Sequence, residues 1–149
     1  MELVNKELCK ISVSSVLDQN GKEYGKQFLN DGNEDTCWYS DQGNPQYIKL
    51  RFFEKQSFSK LKLQVQFQGG FAGEKCALNS SSFSIPFHPK GFLLYSLLFL
   101  YMNNFQDSNN LQDFEFGELE SFEELQIVFN SSSDFYGRVI VYQLSLIGS

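Results

Sequence analysis

The sequence predicts an all-β fold, a single antiparallel jelly-roll β-sandwich over residues 1–149, and three observations predict it. The first is composition: 16 Phe and 7 Tyr against 3 Pro in 149 residues favour pleated, half-buried surfaces. The second is strict apolar and polar alternation at period two in several short segments. The third is punctuation by clusters of Gly, Asn, Asp and Ser, with no long amphipathic helical pattern to compete.

The first clear strand has Ile48, Leu50 and Phe52 alternating with Lys49 and Arg51. The next, Leu61 to Gln68, sets Leu61, Leu63, Val65 and Phe67 against Lys62, Gln64, Gln66 and Gln68, so one face is core and the other is wet. A third has Leu125, Ile127 and Phe129 opposite Gln126 and Asn130. From Arg138 to Ile147 the residues Ile140, Tyr142, Leu144 and Leu146 alternate, but Val139 and Val141 are apolar too, which predicts a central strand covered on both faces in its first half. Turns are expected at Asp18 to Gly21, Asn30 to Asp35, Asp41 to Pro45, Gly69 to Gly73, Asn79 to Ser82 and Asn130 to Asp134. Residues 76–104 are atypical: a Ser-rich stretch, then Pro86, His88 and Pro89, then the apolar run Phe92 to Met102. As a helix that run would reach only about 16 Å against a hydrocarbon core of ~30 Å, so it cannot span a bilayer; a buried strand or a partner surface are the two readings.

The formal charge of −6, from 18 acidic and 12 basic residues, disfavours nucleic acid and anionic membrane as partners. Met1 to Ser15 lacks the continuous apolar stretch of a secretory signal, and Cys9, Cys37 and Cys76 show no framework spacing. An intracellular, reducing location is therefore expected. On that expectation the triplets beginning at Asn79 and Asn130 carry no glycan.

Catalytic chemistry finds little to work with. His88 is the sole histidine and has no serine-elbow motif near it. The three cysteines and His88 lack the paired spacing of a zinc site. Glu118, Glu120, Glu123 and Glu124 read as a solvated edge rather than an acid and base pair, and Gly69, Gly70 and Gly73 are not followed by the Lys-Ser or Lys-Thr of a phosphate cradle. No cofactor and no enzymatic activity are expected.

Three blocks carry a resemblance. NDGNEDTCWYSDQGNPQYIKL from Asn30 to Leu50, KLQVQFQGGFAG from Lys62 to Gly73 and DFYGRVIVYQLSLIG from Asp134 to Gly148 resemble the discoidin, or coagulation factor 5/8 type C, domains. These are similar to galactose-binding-like jelly rolls. The last two blocks look specifically like the small nuclear-receptor-associated repressor proteins. The resemblance implies a corepressor-like association with a nuclear receptor, in the nucleus or cytoplasm. A small intraflagellar-transport subunit of similar architecture implies a ciliary scaffold instead, and related carbohydrate-binding jelly rolls imply a sugar-binding module.

Within this frame the Asn30 to Ser40 loop has two readings. Asp31 and Asn33 can bond their own backbone while Gly32 takes positive φ, which makes a structural corner. In related carbohydrate-binding jelly rolls the loop supplies calcium ligands, which here would be Asp31, the carbonyl of Asn33 and Thr36. Gln143 stands where those relatives have a glutamate, so the resemblance implies a weak calcium site. For partner binding the expectation is the loop end of the sandwich, with Trp38, Tyr39, Asp41, Gln42, Gln68, Phe71 and Arg138 as candidates. Phe71 is expected as the exposed anchor, while Trp38 also suits the core and Arg138 also suits a pair with Asp134. Residues 86–103 break the family pattern and read as an insertion or as translated intervening sequence.

Overall fold

In the computed structural model, which describes residues 1–81, 100–101 and 105–149, the chain forms two antiparallel sheets packed face to face. One has the order β1 (Cys9–Val13), β3 (Gln46–Phe58), β8 (Leu119–Phe129), β5 (Cys76–Ser81), β6 (Leu100–Tyr101). The other has the order β2 (Trp38–Tyr39), β9 (Ile140–Gly148), β4 (Leu61–Phe67), β7 (Leu111–Phe116). The helical parts are short: α1 (Gly21–Tyr24) and two 3-10 turns, Leu17–Gln19 and Lys26–Leu29.

Alternation decides which residues enter the core. On β4, Leu61, Leu63, Val65 and Phe67 are fully buried, while the intervening Lys and Gln are half-buried on the outer face. β3 and β8 pair in register through Ile48 opposite Ile127 and Leu50 opposite Leu125, and all four are buried. The centre is aromatic. Phe129 lies 5.7 Å from Phe67 and 6.4 Å from Trp38 between ring centroids, and Phe52 lies 5.6 Å from Phe122. On the outer faces, Lys60 pairs with Glu115 and Lys62 with Asp113, both at 2.9 Å, across β4 and β7. Such exposed pairs each contribute ~0–1 kcal/mol; the charges along β7 also make this sheet edge a poor template for pairing with another chain.

The expected central strand is β9, which runs between β2 and β4. It begins at Ile140, because Arg138 is engaged in the preceding loop. Two expectations are corrected. Asn79 to Ser81 is not a turn but part of β5, whose register with β8 sets Asn79 opposite Gln126. Nor are Glu123 and Glu124 a solvated edge: they lie within β8 and are half-buried, Glu124 opposite Arg51 of β3 and 3.8 Å from Lys49. His88, nearly all of the apolar run Phe92 to Met102 and the proposed insertion at 86–103 lie outside the described residues, except for Leu100 and Tyr101 in β6.

Candidate binding surface at the loop end

Three loops meet beyond the ends of β2, β4 and β9: residues 41–45, 68–73 and 130–138. Gln46 ties the first of them down. It is 4% exposed, yet its amide is fully matched. Its Oε1 accepts from the hydroxyls of Ser14 (2.5 Å) and Ser15 (2.7 Å), and its Nε2 donates to the carbonyls of Asp41 (3.1 Å) and Gly43 (2.9 Å). A buried amide left unmatched would be costly, so the loop is held where all four bonds form. Asp41 is half-buried, its N–H donating to Ser15 Oγ at 2.9 Å, while Gln42 beside it is exposed.

The second loop is clasped to β9: Gln68 N–H donates to the Ile140 carbonyl and Ile140 N–H to the Phe71 carbonyl, both at 3.1 Å. Gln68 is half-buried, its Oε1 accepting from the Tyr142 hydroxyl at 2.7 Å. Phe71, expected as the exposed anchor, is half-buried. Its ring packs 6.0 Å from Tyr39, which in turn lies 5.6 Å from Tyr24.

The third loop is built on Asp134. Gly137 N–H donates to the Asp134 carbonyl at 3.0 Å, and Gly137 takes φ +84°, so Asp134 to Gly137 is a turn with Phe135 and Tyr136 at its tip. A Cβ on Gly137 would lie 2.7 Å from the Gly43 carbonyl oxygen, which explains the glycine at this close approach. The Asp134 carboxylate accepts from Arg138 Nε (2.9 Å) and a second guanidinium nitrogen (3.0 Å), and also from the Arg138 N–H (3.0 Å). These bonds hold the Asp134 carboxyl below the usual carboxylate range and raise the guanidinium further. The guanidinium also lies over two rings, 5.3 Å from the Phe71 centroid and 5.5 Å from that of Tyr136. Phe135 and Tyr136 stand 92% and 58% exposed, their centroids 5.3 Å apart.

The result is one continuous array running Tyr24, Tyr39, Phe71, Arg138, Tyr136, Phe135. Of the residues expected here, Tyr39, Phe71 and Arg138 are brought together in it, Gln42 lies exposed on the adjoining loop, and Asp41 and Gln68 are half-buried in the flanking loops, Gln68 bonded to Tyr142. Of its two readings Trp38 takes the core one and not the partner-facing one. It is 0% exposed, its indole N–H donates to the Ser15 carbonyl at 2.9 Å, and it supports the surface from below without presenting to a partner. On β2 successive side chains point to opposite faces, so burying Trp38 turns Tyr39 outward. Phe135 and Tyr136 were missed by sequence reasoning, although Asp134 and Gly137 spaced three apart were a turn signal that would have placed them at a tip.

The Asn30 to Ser40 loop closes on itself: Asp31 accepts from the Asn33 N–H (3.0 Å) and the Thr36 hydroxyl (2.5 Å), and the Asn33 carbonyl accepts from the same hydroxyl at 3.2 Å. Asn33 and Gln143 line a common recess of about 370 Å³ with Glu2. Glu2 itself is committed to β9, accepting from the Leu146 N–H at 3.0 Å and from the Ser145 hydroxyl. Oxygen donors of this kind suit a hard cation in kind but not in charge. The four expected ligands offer one carboxylate, Asp31, with both its oxygens already accepting hydrogen bonds, and Glu34 is the further carboxylate lining the recess, where such ions take ~6–8 oxygens. Among the described residues no three His, Cys, Asp or Glu side chains converge as a metal site. Nor is a thiol activated: burial pushes Cys9, Cys37 and Cys76 upward, away from the reactive thiolate.

No protein-family model matches the chain. A Danio rerio protein, the nuclear receptor 2C2-associated protein, is 43% identical over 136 residues, covering 91% of this chain and 88% of that one. The chain belongs to the nuclear receptor 2C2-associated protein family. Among solved structures the F5/8 type C domain of a Bacteroides fragilis protein is similar with a TM-score of 0.67 at 13% identity, covering 96% of this chain and 93% of that one. A family 32 carbohydrate-binding module from Clostridium perfringens, solved with galactose, is similar with a TM-score of 0.65 at 14% identity, covering 93% and 92%. The family fold is thus the discoidin-type jelly-roll sandwich that the alternation and the three sequence blocks imply. Among the described residues no helix is long and apolar enough to cross a membrane.

Proposed function

We propose that the chain is a non-catalytic protein-interaction module, an adaptor that associates with a nuclear receptor through the aromatic and arginine array at its loop end. The observation that carries this reading is the pair Phe135 and Tyr136, held outward on a turn that Asp134 and Arg138 lock. Large aromatic side chains beside an arginine are the groups that dominate protein interfaces, and a locked turn loses little freedom when a partner covers it. The name of the relatives supplies the class of partner, and the nucleus or cytoplasm is the matching compartment.

The test is binding of the purified protein to nuclear receptor 2C2 by isothermal calorimetry, with Phe135→Ala, Tyr136→Ala and Phe71→Ala compared. Each is expected to weaken binding, and the double change at 135 and 136 by about 2 kcal/mol or more. Binding unchanged in that double variant would remove this surface from the account. Capture of intraflagellar-transport subunits by the native protein, with the receptor absent, would favour the ciliary scaffold. A glycan that binds saturably and is lost with Phe71→Ala would favour the sugar-binding module.

A further inference from the structure

A second surface, sharing no residue with the loop end, lies where the N-terminal segment, β1 and the 3-10 turn Lys26–Leu29 enclose a groove of about 760 Å³. Three ammonium groups line it, Lys6, Lys10 and Lys26. All three residues are exposed, and none takes part in the ion pairs found among the described residues, which use Lys49, Lys60, Lys62 and Arg138. The two carboxylates in the lining are already engaged. Glu2 accepts from the N–H groups of Val4 (2.9 Å) and Leu146 (3.0 Å), and Asp31 from its own loop. With three lysines against two carboxylates the lining carries a net charge of +1 on a chain of net charge −6, and the three ammonium groups have no ion-pair partner among the described residues. Its apolar lining includes Ile11, on the core-facing side of β1, and Phe53, on the outer side and 66% exposed.

The groove also holds an open strand edge. β1 is the outer strand of its sheet. Phe53 N–H donates to the Leu8 carbonyl and Ser14 N–H to the Tyr47 carbonyl, both at 3.0 Å, so the even-numbered residues of this stretch turn their backbone groups towards β3. The odd-numbered ones turn theirs away from it. The outward N–H of Cys9 is taken by the Asn5 carbonyl at 2.9 Å. That leaves the carbonyl of Cys9 and both backbone groups of Ile11 facing outward beside the lysines. Unpaired edge groups are a template for an added strand.

We propose that this groove takes an extended acidic segment of a partner protein, which pairs with the edge of β1 at Ile11 and sets its carboxylates on Lys6, Lys10 and Lys26. Main-chain bonds would align the segment, its apolar side chains would pack beside Ile11 on the core-facing side of β1, and the alternate carboxylates would reach the outer side, where Lys10 and Phe53 lie, giving selectivity and a salt-dependent rate of encounter.

The probe is a fluorescein-labelled peptide of alternating Glu and Val, titrated with the full chain and read by anisotropy, beside a Lys and Val peptide of the same length. The Glu peptide is expected to bind saturably, more tightly as salt is lowered, and the Lys peptide not at all. Replacing Lys6, Lys10 and Lys26 together by Gln should weaken binding at least about tenfold. The same three charges removed elsewhere, at Lys22, Lys55 and Lys75, should change it little. N-methylation of alternate peptide amides on the pairing edge should abolish binding with every protein side chain intact. Equal losses in the two lysine variants, or indifference to N-methylation, would overturn the proposal. Phe135→Ala with Tyr136→Ala should leave peptide binding untouched, so failure here and failure at the loop end are separable.

Discussion

Replacing Trp38 by Phe separates a residue that supports the binding surface from one that touches the partner. The indole is fully buried, packs against Phe129 at 6.4 Å and donates to the Ser15 carbonyl at 2.9 Å. Phenylalanine keeps an aromatic ring in the pocket but removes the donor, at ~1 kcal/mol for the lost hydrogen bond. The space vacated by the larger ring system adds ~1–2 kcal/mol, since close-packed surroundings relax only partly. The sum, ~2–3 kcal/mol, corresponds in a domain of this size to a fall in melting temperature of about 4–12 °C. Circular dichroism melts measure it; tryptophan fluorescence cannot, because Trp38 is the single tryptophan. On the proposed function, the folded variant should bind the receptor at 25 °C as tightly as the parent. A variant with unchanged melting temperature and lost receptor binding would refute the reasoning, for Trp38 would then be a contact residue.

Gly73→Ala should destabilise by ~1–3 kcal/mol in urea unfolding, because a Cβ there would lie 2.4 Å from Phe129 Cδ1 and Phe129 is fully buried. Arg138 lowers the pKa of Asp134 in the folded state, so its contribution is fully present above the unfolded carboxylate value of about 4 and is lost as pH falls through the lower folded value. The stability gap between the parent and Asp134→Asn should therefore be widest near neutral pH and close below about pH 4 in thermal melts. Calcium at ~1 mM, bound with a dissociation constant near ~1 mM, would add ~0.4 kcal/mol, a shift of about 1–2 °C that Asp31→Asn should erase. A shift above about 5 °C would mean a ligand set stronger than the single carboxylate of Asp31.

Local periodicity made the strands legible. Leu61, Leu63, Val65 and Phe67 announce both the strand and its buried face, since period two is a property of the chain alone. The same holds for Ile48 with Leu50 and Ile127 with Phe129. Strand ends were less legible. Glu123 and Glu124 read as a solvated edge in one dimension, yet they stand within β8, a strand flanked by β3 and β5. Their flanking strands come from residues about 70 and 40 positions earlier, and pairing over such separations leaves no local mark.

Composition and alternation alone determined an all-β sandwich with an aromatic interior, and the blocks at Asn30, Lys62 and Asp134 determined its family. Only the tertiary structure decided which aromatic residues face outward at the loop end. Trp38 and Tyr39 are neighbours of similar chemistry, and the pairing of β2 with β9 sends one into the core and the other out. Phe71 and Tyr136 are distant in sequence, and it is Arg138, fixed by Asp134, that joins them. The lysine groove beside β1 was equally hidden, because Lys6, Lys10 and Lys26 converge only when the 3-10 turn at Lys26–Leu29 folds back on the first strand. Periodicity reports which way a side chain points from its own backbone; what it then meets is set by long-range closure of the chain.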